Sequence, residues 1–451
     1  MNAKRKSTGL VGRGSLGLLC LLGATHCGAP EAGSEESVSQ AVQAGADALK
    51  VPVVQSVAEL ARMRKYLEER YPAQAVVHQF RSALGDKIDC VRMEAQPGLR
   101  REGMQRHVLQ RAPRTLPQGE PVDTFGARGL NPSQGLTHGV DAAGALQHCP
   151  EGAIPVLRLE LEDLQRFSSL DDFFRKEPVG SDPRSGLEQA ANPLAAGPTS
   201  SHQYAHAAKY NVDNRGATST LNLWNPAVEL SREFSLSQIW VTRGSGSNLE
   251  TVETGMQLYK DLYGDNTSHL FIYYTPDGYK TGCYNLSCSA FVQTDNSVVV
   301  GGSLGGGSVR GGTQYEQRLE WFKDGPTGPW WLRFGSTWVG YYPVSLFDSN
   351  GLATKASNID FGGEIIDGRN GGRHTATDMG SGAYASEGWQ KAAFQRRIQY
   401  VDTNNVYQTP ALSAYRDSAG CYDIALFNDT SANGWGQHFY FGGPGYNANC
   451  T

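Results

Sequence analysis

The sequence lacks several features that would place it quickly. Beyond its first residues it has no basic run, and its 451 residues carry a formal net charge of −5. A nucleic-acid footprint needs a basic face, so that class of partner is excluded. The apolar run Leu16–Leu22 falls far below the roughly 20 residues a membrane-spanning helix needs. Neither Cys-x-x-Cys nor His-Glu-x-x-His occurs, which removes the usual signatures of structural and catalytic zinc. His202 and His206 are four apart, yet Gln203 follows His202 where a zinc peptidase would carry Glu. Long amphipathic helical repeats are missing from the second half. The tract Gly301-Gly-Ser303-Leu-Gly305 has the spacing of a nucleophile elbow but runs on into Gly306-Gly-Ser-Val-Arg-Gly-Gly312, which cannot start a helix. Ser303 therefore reads as strand end or loop, and the tract is no phosphate cradle, lacking both the Lys and the helix.

What the chain does have points to β structure. Glycine is abundant at 54 residues beside 20 Tyr, 16 Phe and 8 Trp, with only 19% charged residues, a composition suited to short strands and many turns. From His202 onward, alternating runs recur at Thr220–Trp224, Gln238–Thr242, His269–Thr275, Ala290–Thr294, Val298–Gly302, Trp330–Val339, Ile398–Val401 and Gln437–Phe441. Gly, Asn, Asp and Pro turns separate them. That spacing predicts a mainly β protein, an antiparallel, jelly-roll-like β-sandwich. Trp240, Trp330, Trp331, Trp338, Tyr341 and Tyr342 are available to line a groove, although each is first a candidate core aromatic.

Two stretches carry the chemistry. In Leu249–Tyr259, alternation puts Glu253, Gly255, Gln257 and Tyr259 on one face and Val252, Met256 and Leu258 on the other. In Phe361–Ile366, Glu364 points away from Phe361, Gly363 and Ile365, with small residues that let a substrate backbone come close. Two carboxyl groups that meet cannot both ionise easily, which makes one an acid and the other a base. Glu253 and Glu364 are 111 positions apart, and nothing local brings them together.

The stretches Thr220-Leu-Asn-Leu-Trp-Asn-Pro226, Glu233-Phe-Ser-Leu-Ser-Gln-Ile-Trp-Val241, Asp261-Leu-Tyr-Gly-Asp-Asn266, Thr281-Gly-Cys-Tyr-Asn-Leu-Ser-Cys288, His374-Thr-Ala-Thr-Asp-Met-Gly-Ser-Gly382 and Phe439-Tyr-Phe-Gly-Gly-Pro-Gly445 together resemble the neprosin family over nearly all of residues 202–451. The resemblance implies a glutamic peptidase whose catalytic residues align with Glu253, in Val-Glu-Thr-Gly-Met-Gln, and Glu364, in Gly-Gly-Glu. Most plant members carry Trp where this chain has Met256, on the face opposite the carboxylate. Gln257 is the auxiliary candidate for oxyanion donation, with Tyr259 on the same face, and His374 is a candidate for lining the site.

In the N-terminal half, Val57, Leu60, Met63 and Leu67 recur at helical spacing behind the capping residue Ser56, and Pro72 ends the helix. Asp86–Pro97 and Cys149–Arg158 resemble the neprosin activation peptide, which implies an inhibitory prosegment. Residues 98–145 read as irregular loops. The domain plan is then a signal peptide at 1–29, a small α+β activation propeptide at 30–176, a processing linker at 177–201 and a peptidase domain at 202–451. Pro193 and Pro198 lie in the linker, where an enzyme that cuts after proline would release its own prosegment.

Lys4, Arg5, Lys6 and Arg13 ahead of the apolar run read as a secretory signal, with cleavage after Ala24 or Ala29. Cys27 raises lipid anchoring as a rival, but His26 stands where a lipoprotein has a small residue, which favours free secretion. Six cysteines remain beyond the signal, an even number suited to disulfides in an exported chain. Fifteen pairings exist for six cysteines, and the expected set is Cys90–Cys149, Cys283–Cys288 and Cys421–Cys450, in which each bridge stays within one domain.

The expected protein is thus a secreted zymogen of a glutamic endopeptidase. The resemblance implies that it acts on proline-containing peptides at acidic pH, needs no metal or organic cofactor, and is held by its own prosegment. Two alternatives use the same face: a jelly-roll glycoside hydrolase employing both carboxylates, and a non-catalytic carbohydrate-binding sandwich.

Overall fold

Apolar side chains that alternate along the second half of the chain meet between two antiparallel sheets. The computed structural model describes residues 53–119 except 55 and 105, then 130–132, 139–140, 146–176, 202–428 and 434–450. The signal expected at 1–29 with its cleavage sites and Cys27, the rest of the expected leader to residue 50, and the linker expected at 177–201 with Pro193 and Pro198 lie outside the described residues. No helix among the described residues is long and apolar enough to cross a membrane.

The N-terminal part begins with α1 (Val57–Glu69), whose Ser56 hydroxyl accepts from Glu59 N at 3.3 Å, the cap its sequence predicts. A three-stranded antiparallel sheet follows, made of β1 (Val76–Arg81), β2 (Lys87–Arg92) and β3 (Ala153–Leu157) with β2 central. Cys90 and Cys149 are joined, stapling β2 to the segment that enters β3. Two short helices, α2 (Leu161–Leu164) and α3 (Leu170–Phe174), complete this part. Each is about one turn long, too short for a 3.6-residue period to register, but both are marked by caps at Glu160 and Ser169.

Seven strands form the first sheet of the sandwich: β4 (His202–Lys209), β5 (Phe234–Arg243), β6 (Glu250–Tyr259), β7 (His269–Thr275), β8 (Cys283–Tyr284), β9 (Asn358–Ile366) and β10 (Ser413–Arg416). Their order is β8-β7-β6-β5-β9-β4-β10, so β5 runs between β6 and β9. The opposing ten-stranded sheet is built around Gly216–Asn222, Gln314–Lys323 and Ala393–Val401. Between the two lies the core. Val252 and Met256 of β6, Ile239 of β5 and Phe361 and Ile365 of β9 are buried with Leu221, Trp321, Ile398 and Phe441 of the second sheet. Cys283–Cys288 and Cys421–Cys450 are the other two disulfides, so all three pairings match those expected.

Two expected strands differ. Residues 298–302 form a turn, because the carboxylate of Asp295 caps the backbone of Ser297 and Val298 and Gln293 Nε2 holds Val298 O at 2.7 Å. The run 330–339 is not one strand but two, Trp330–Phe334 and Thr337–Tyr342, divided at Gly335, whose φ of 57° only glycine adopts freely. Both strands belong to the second sheet. Of the six aromatics available for a groove, Trp240 is therefore the one on the seven-stranded sheet.

Candidate active site

Strand register places the two glutamates before any side chain is considered. Glu253 on β6 pairs with Trp240 on β5, while Glu364 on β9 pairs with Leu236 on β5. Directly paired residues share a face, and Trp240, Gln238 and Leu236 alternate onto that same face. The carboxylates thus stand on one side of the sheet, on strands flanking β5, with Gln238 midway. Gln238 itself pairs with Gly255 and Gly362. A Cβ on Gly255 would lie 2.1 Å from Ser237 O and 2.7 Å from the Cβ of Gln238, and one on Gly362 would lie 2.5 Å from Ala205 O. Both glycines are needed for the strands to approach this closely at the centre of the floor.

A lysine from the N-terminal part joins the pair. Lys176 Nζ is 2.7 Å from Glu253 Oε2 and 2.8 Å from Glu364 Oε2, which puts the two oxygens no more than 5.5 Å apart. The three side chains are 3%, 0% and 2% exposed. Glu364 is also bonded by His202 Nδ1 at 2.5 Å, Gln238 Nε2 at 2.8 Å and Tyr204 OH at 3.3 Å. Glu253 accepts from Thr251 Oγ1 at 2.8 Å and Tyr279 OH at 2.5 Å. Burial alone would push the Glu364 carboxyl up; the charge of Lys176 and the contact with His202 outweigh it and bring it from 4.5 down to about 2. Burial likewise pushes the Lys176 ammonium down, and the two carboxylates reverse this and hold it above its ordinary value. The indole of Trp240 adds a face 5.4 Å from the same nitrogen.

The lysine is delivered by a plug. Phe167, Leu170 and Phe173 are buried in one cluster with Phe234, Trp240, Tyr259 and Tyr273 of the site face, and Phe167 packs edge-on against Tyr259 with ring centres 6.3 Å apart. Arg166 Nε donates to Asp261 O at 2.7 Å and Tyr66 OH to Ser287 O at 2.6 Å. Residues 177–201 connect Lys176 to His202, so the two residues flanking the linker both bond the Glu364 carboxylate.

The remaining sequence candidates are placed as follows. Gln257 shares the site face, but its Nε2 donates to Tyr284 OH at 3.1 Å. Tyr259 packs against Phe234 and Phe167. His374 belongs elsewhere: its Nδ1 bonds Thr375 O at 2.8 Å and its Nε2 lies 3.7 Å from Asp367. Ser303 is in a loop, bridged to His269 and bonded to Thr267 Oγ1 at 2.9 Å. His202 and His206 lie on one strand, each paired with an acid, Glu364 and Asp360 respectively, and not with each other around a metal position. Lys176 and Gln238 carry no local signal of a site in the sequence, beyond the alternation that sets Gln238 beside Trp240.

Met256 packs beneath the site in the sandwich core, beside a cavity of about 20 Å³. That space does not admit an indole. Met256→Trp is expected to destabilise the protein by about 1–3 kcal/mol, seen as a melting temperature several degrees lower; an unchanged or higher value would show that this core repacks freely.

Two family models match the chain: Neprosin over residues 231–444 and Neprosin activation peptide over residues 79–208. Among solved structures, the chain is similar to scytalido-glutamic peptidase in complexes with a peptide-based transition-state analogue and with a transition-state analogue inhibitor. Each of these gives 12% identity, coverage of 54% of this chain and 98% of that chain, and a TM-score of 0.30. SCP-B, a member of the Eqolisin family bound to the tripeptide Ala-Ile-His, matches at 12% identity with the same coverages and a TM-score of 0.26.

Proposed function

The chain belongs to the neprosin family and is a peptidase zymogen with its activation peptide attached, and from that premise we propose that Glu253 and Glu364 hydrolyse peptide bonds by activating one water between them. The observation that carries the proposal is Lys176 Nζ, bonded at once to an oxygen of each carboxylate. A single small polar group fits between them, and once the lysine leaves, that position suits a water molecule.

The roles follow from the partners. Glu364 is surrounded by donors, His202, Gln238 and Tyr204, which favour its anionic form and make it the general base. The partners of Glu253 other than Lys176 are the hydroxyls of Thr251 and Tyr279, which can turn to accept from a protonated carboxyl. Glu253 is then the acid. Glu364 takes a proton from water as the oxygen attacks the scissile carbonyl carbon, while the Glu253 proton passes to the carbonyl oxygen. The resulting diol collapses when Glu364 protonates the leaving nitrogen and Glu253 recovers its proton from a hydroxyl, so both residues return to their starting states. Because one member must stay protonated, activity is confined to acidic pH.

The spacing of the carboxylates would equally serve a retaining glycosidase, which needs about 5–5.5 Å; family membership and the plugged site favour the peptide bond. Preference for cleavage after proline follows from the family resemblance, and the first processing cut falls in 177–201, at Pro193 or Pro198. Three disulfides accord with export by the basic and apolar leader. The test is to incubate acid-treated protein with a proline-rich peptide, a proline-free peptide and a polysaccharide, and to identify products by mass spectrometry. Peptide fragments ending in proline are expected. Release of sugars, or equal cleavage of the proline-free peptide, would overturn the activity or the preference respectively. Edman sequencing of the mature chain gives a separate check, since a new N-terminus that does not follow a proline would exclude self-processing by this specificity.

A further inference from the structure

Gln238 occupies the centre of the floor and is used by neither proton transfer. It is fully buried. Its Nε2 lies 2.8 Å from Glu364 Oε2, the same oxygen that Lys176 Nζ bonds at 2.8 Å. An anionic carboxylate accepts only from a donor, so the amide nitrogen must face Glu364 and the amide oxygen must face away. That oxygen, Oε1, is buried and has no hydrogen-bond partner among the described residues. A buried orphan acceptor costs about 1–3 kcal/mol; Gln257 Oε1 on the same floor is likewise without a partner among the described residues, and what sets Gln238 apart is that its other amide atom bonds the Glu364 carboxylate. Gly255 and Gly362, paired with it on either side, carry no side chain, so the floor beside the amide is open to the close approach of a peptide backbone.

We infer that Gln238 is a positioning residue of this site: its N–H selects Glu364 Oε2 as the oxygen that meets the attacking water, and its Oε1 accepts a backbone N–H from the bound peptide. The inference rests on the reading of Glu253 and Glu364 as the reacting pair. It assigns the ligand of the orphan oxygen by chemistry, since an extended peptide offers an unpaired N–H at every second residue along an open sheet floor. In the zymogen Lys176 takes the water's position. The groups that face Glu364 and set its charge, besides Gln238, are His202, Tyr204 and His206 from β4, Asp417 beyond β10, Glu253 from β6, Tyr279 beyond β7 and, until it is released, Lys176.

Two substitutions separate the two halves of the role. Gln238→Glu keeps an acceptor of the same shape but replaces the amide donor to Glu364 with a second carboxyl, which disfavours the anionic form of Glu364. Gln238→Met removes both at similar length. Each variant is folded as the full-length zymogen, cut in the linker with an external protease and checked by its melting temperature before kinetics on a peptide substrate. Gln238→Glu should lower kcat by about 10–100-fold, leave KM within about threefold and move the acid limb of the pH profile up by about one unit, because the second carboxyl shares a proton with Glu364 and disfavours its charged form. Gln238→Met should show the same fall in kcat with KM raised by about fivefold or more. A purely structural glutamine would lower the melting temperature of both variants and leave the acid limb in place, and that result, like a kcat within threefold of the parent, would overturn the inference. Glu364→Gln is run beside them: if it remains active, the glutamate pair itself is wrong, whereas if it is dead and both Gln238 variants are normal, only the role of Gln238 falls. Should both variants fail to fold as zymogens, Gln238 is a core-building residue and the inference falls as well.

Discussion

Glu364→Gln, cut in the linker by an external protease, is expected to lose about 10⁴-fold in kcat, and Glu253→Gln about 10²–10³-fold. The asymmetry comes from what a carboxamide can still do at each position. At 364 the amide keeps the shape that His202 and Gln238 surround but cannot accept a proton, so no base remains for the water. At 253 the amide still donates a hydrogen bond to the carbonyl oxygen and lacks only a proton to deliver, so polarisation survives and transfer does not. Neither variant should process its own linker in acid. Melting of the cut enzymes should stay within a few degrees of the parent, since the substitutions preserve volume and replace one of two carboxyl groups that lie no more than 5.5 Å apart. Retention of more than a tenth of the parent kcat by either variant, with unchanged melting, would remove that residue from the mechanism.

The sequence disclosed the parts of this site that obey short-range rules. Alternation along Leu249–Tyr259 and Phe361–Ile366 set Glu253 and Glu364 on polar faces, and the cap at Ser56 with apolar residues every third or fourth position marked α1 over Val57–Glu69. What alternation cannot supply is which strands are neighbours. That β5 runs between β6 and β9 is decided by the whole sandwich, and it alone makes Gln238 the centre of the floor in place of Gln257, whose amide is bonded to Tyr284. Lys176 was illegible for a similar reason. It follows α3 as the second of two adjacent cations, Arg175 and Lys176, with nothing local to distinguish one from the other, and its meaning depends on Phe173 and Phe167 docking onto a sheet formed by residues far along the chain. Val298–Gly302 reads as a strand by composition, yet the local caps from Asp295 bend it into a turn.

The second large effect concerns that lysine. Lys176→Met keeps the length of the side chain and removes its charge, leaving two buried carboxylates facing each other with no cation between them. At neutral pH the zymogen should lose roughly 3–5 kcal/mol, the cost of breaking one side of a buried ionic group. The sign of the pH dependence follows from Glu364. In the zymogen its carboxyl is lowered from 4.5 to about 2, so the folded state binds that proton more weakly than the unfolded chain does. The stability this contributes, on the order of 3 kcal/mol, is present in full above pH 4.5 and is lost as the pH falls towards 2. Lys176 stays charged throughout that window, its own pKa being raised, so protonation of Glu364 is what opens the clamp. The parent zymogen should therefore melt at progressively lower temperature below pH 4.5, whereas Lys176→Met should be less stable at neutral pH and flatter across the acid range, converging with the parent near pH 2. Lys176→Arg, which keeps the charge, should restore the slope. Opening the clamp does not eject the plug, because Phe167, Leu170 and Phe173 each remain worth about 1.5–3 kcal/mol of buried apolar surface; release needs the linker cut as well. Accordingly Lys176→Met should process its linker at a higher pH than the parent. Parallel melting curves for parent and Lys176→Met between pH 7 and pH 2, or the same processing pH for both, would show that the ammonium between the glutamates does not hold the zymogen closed.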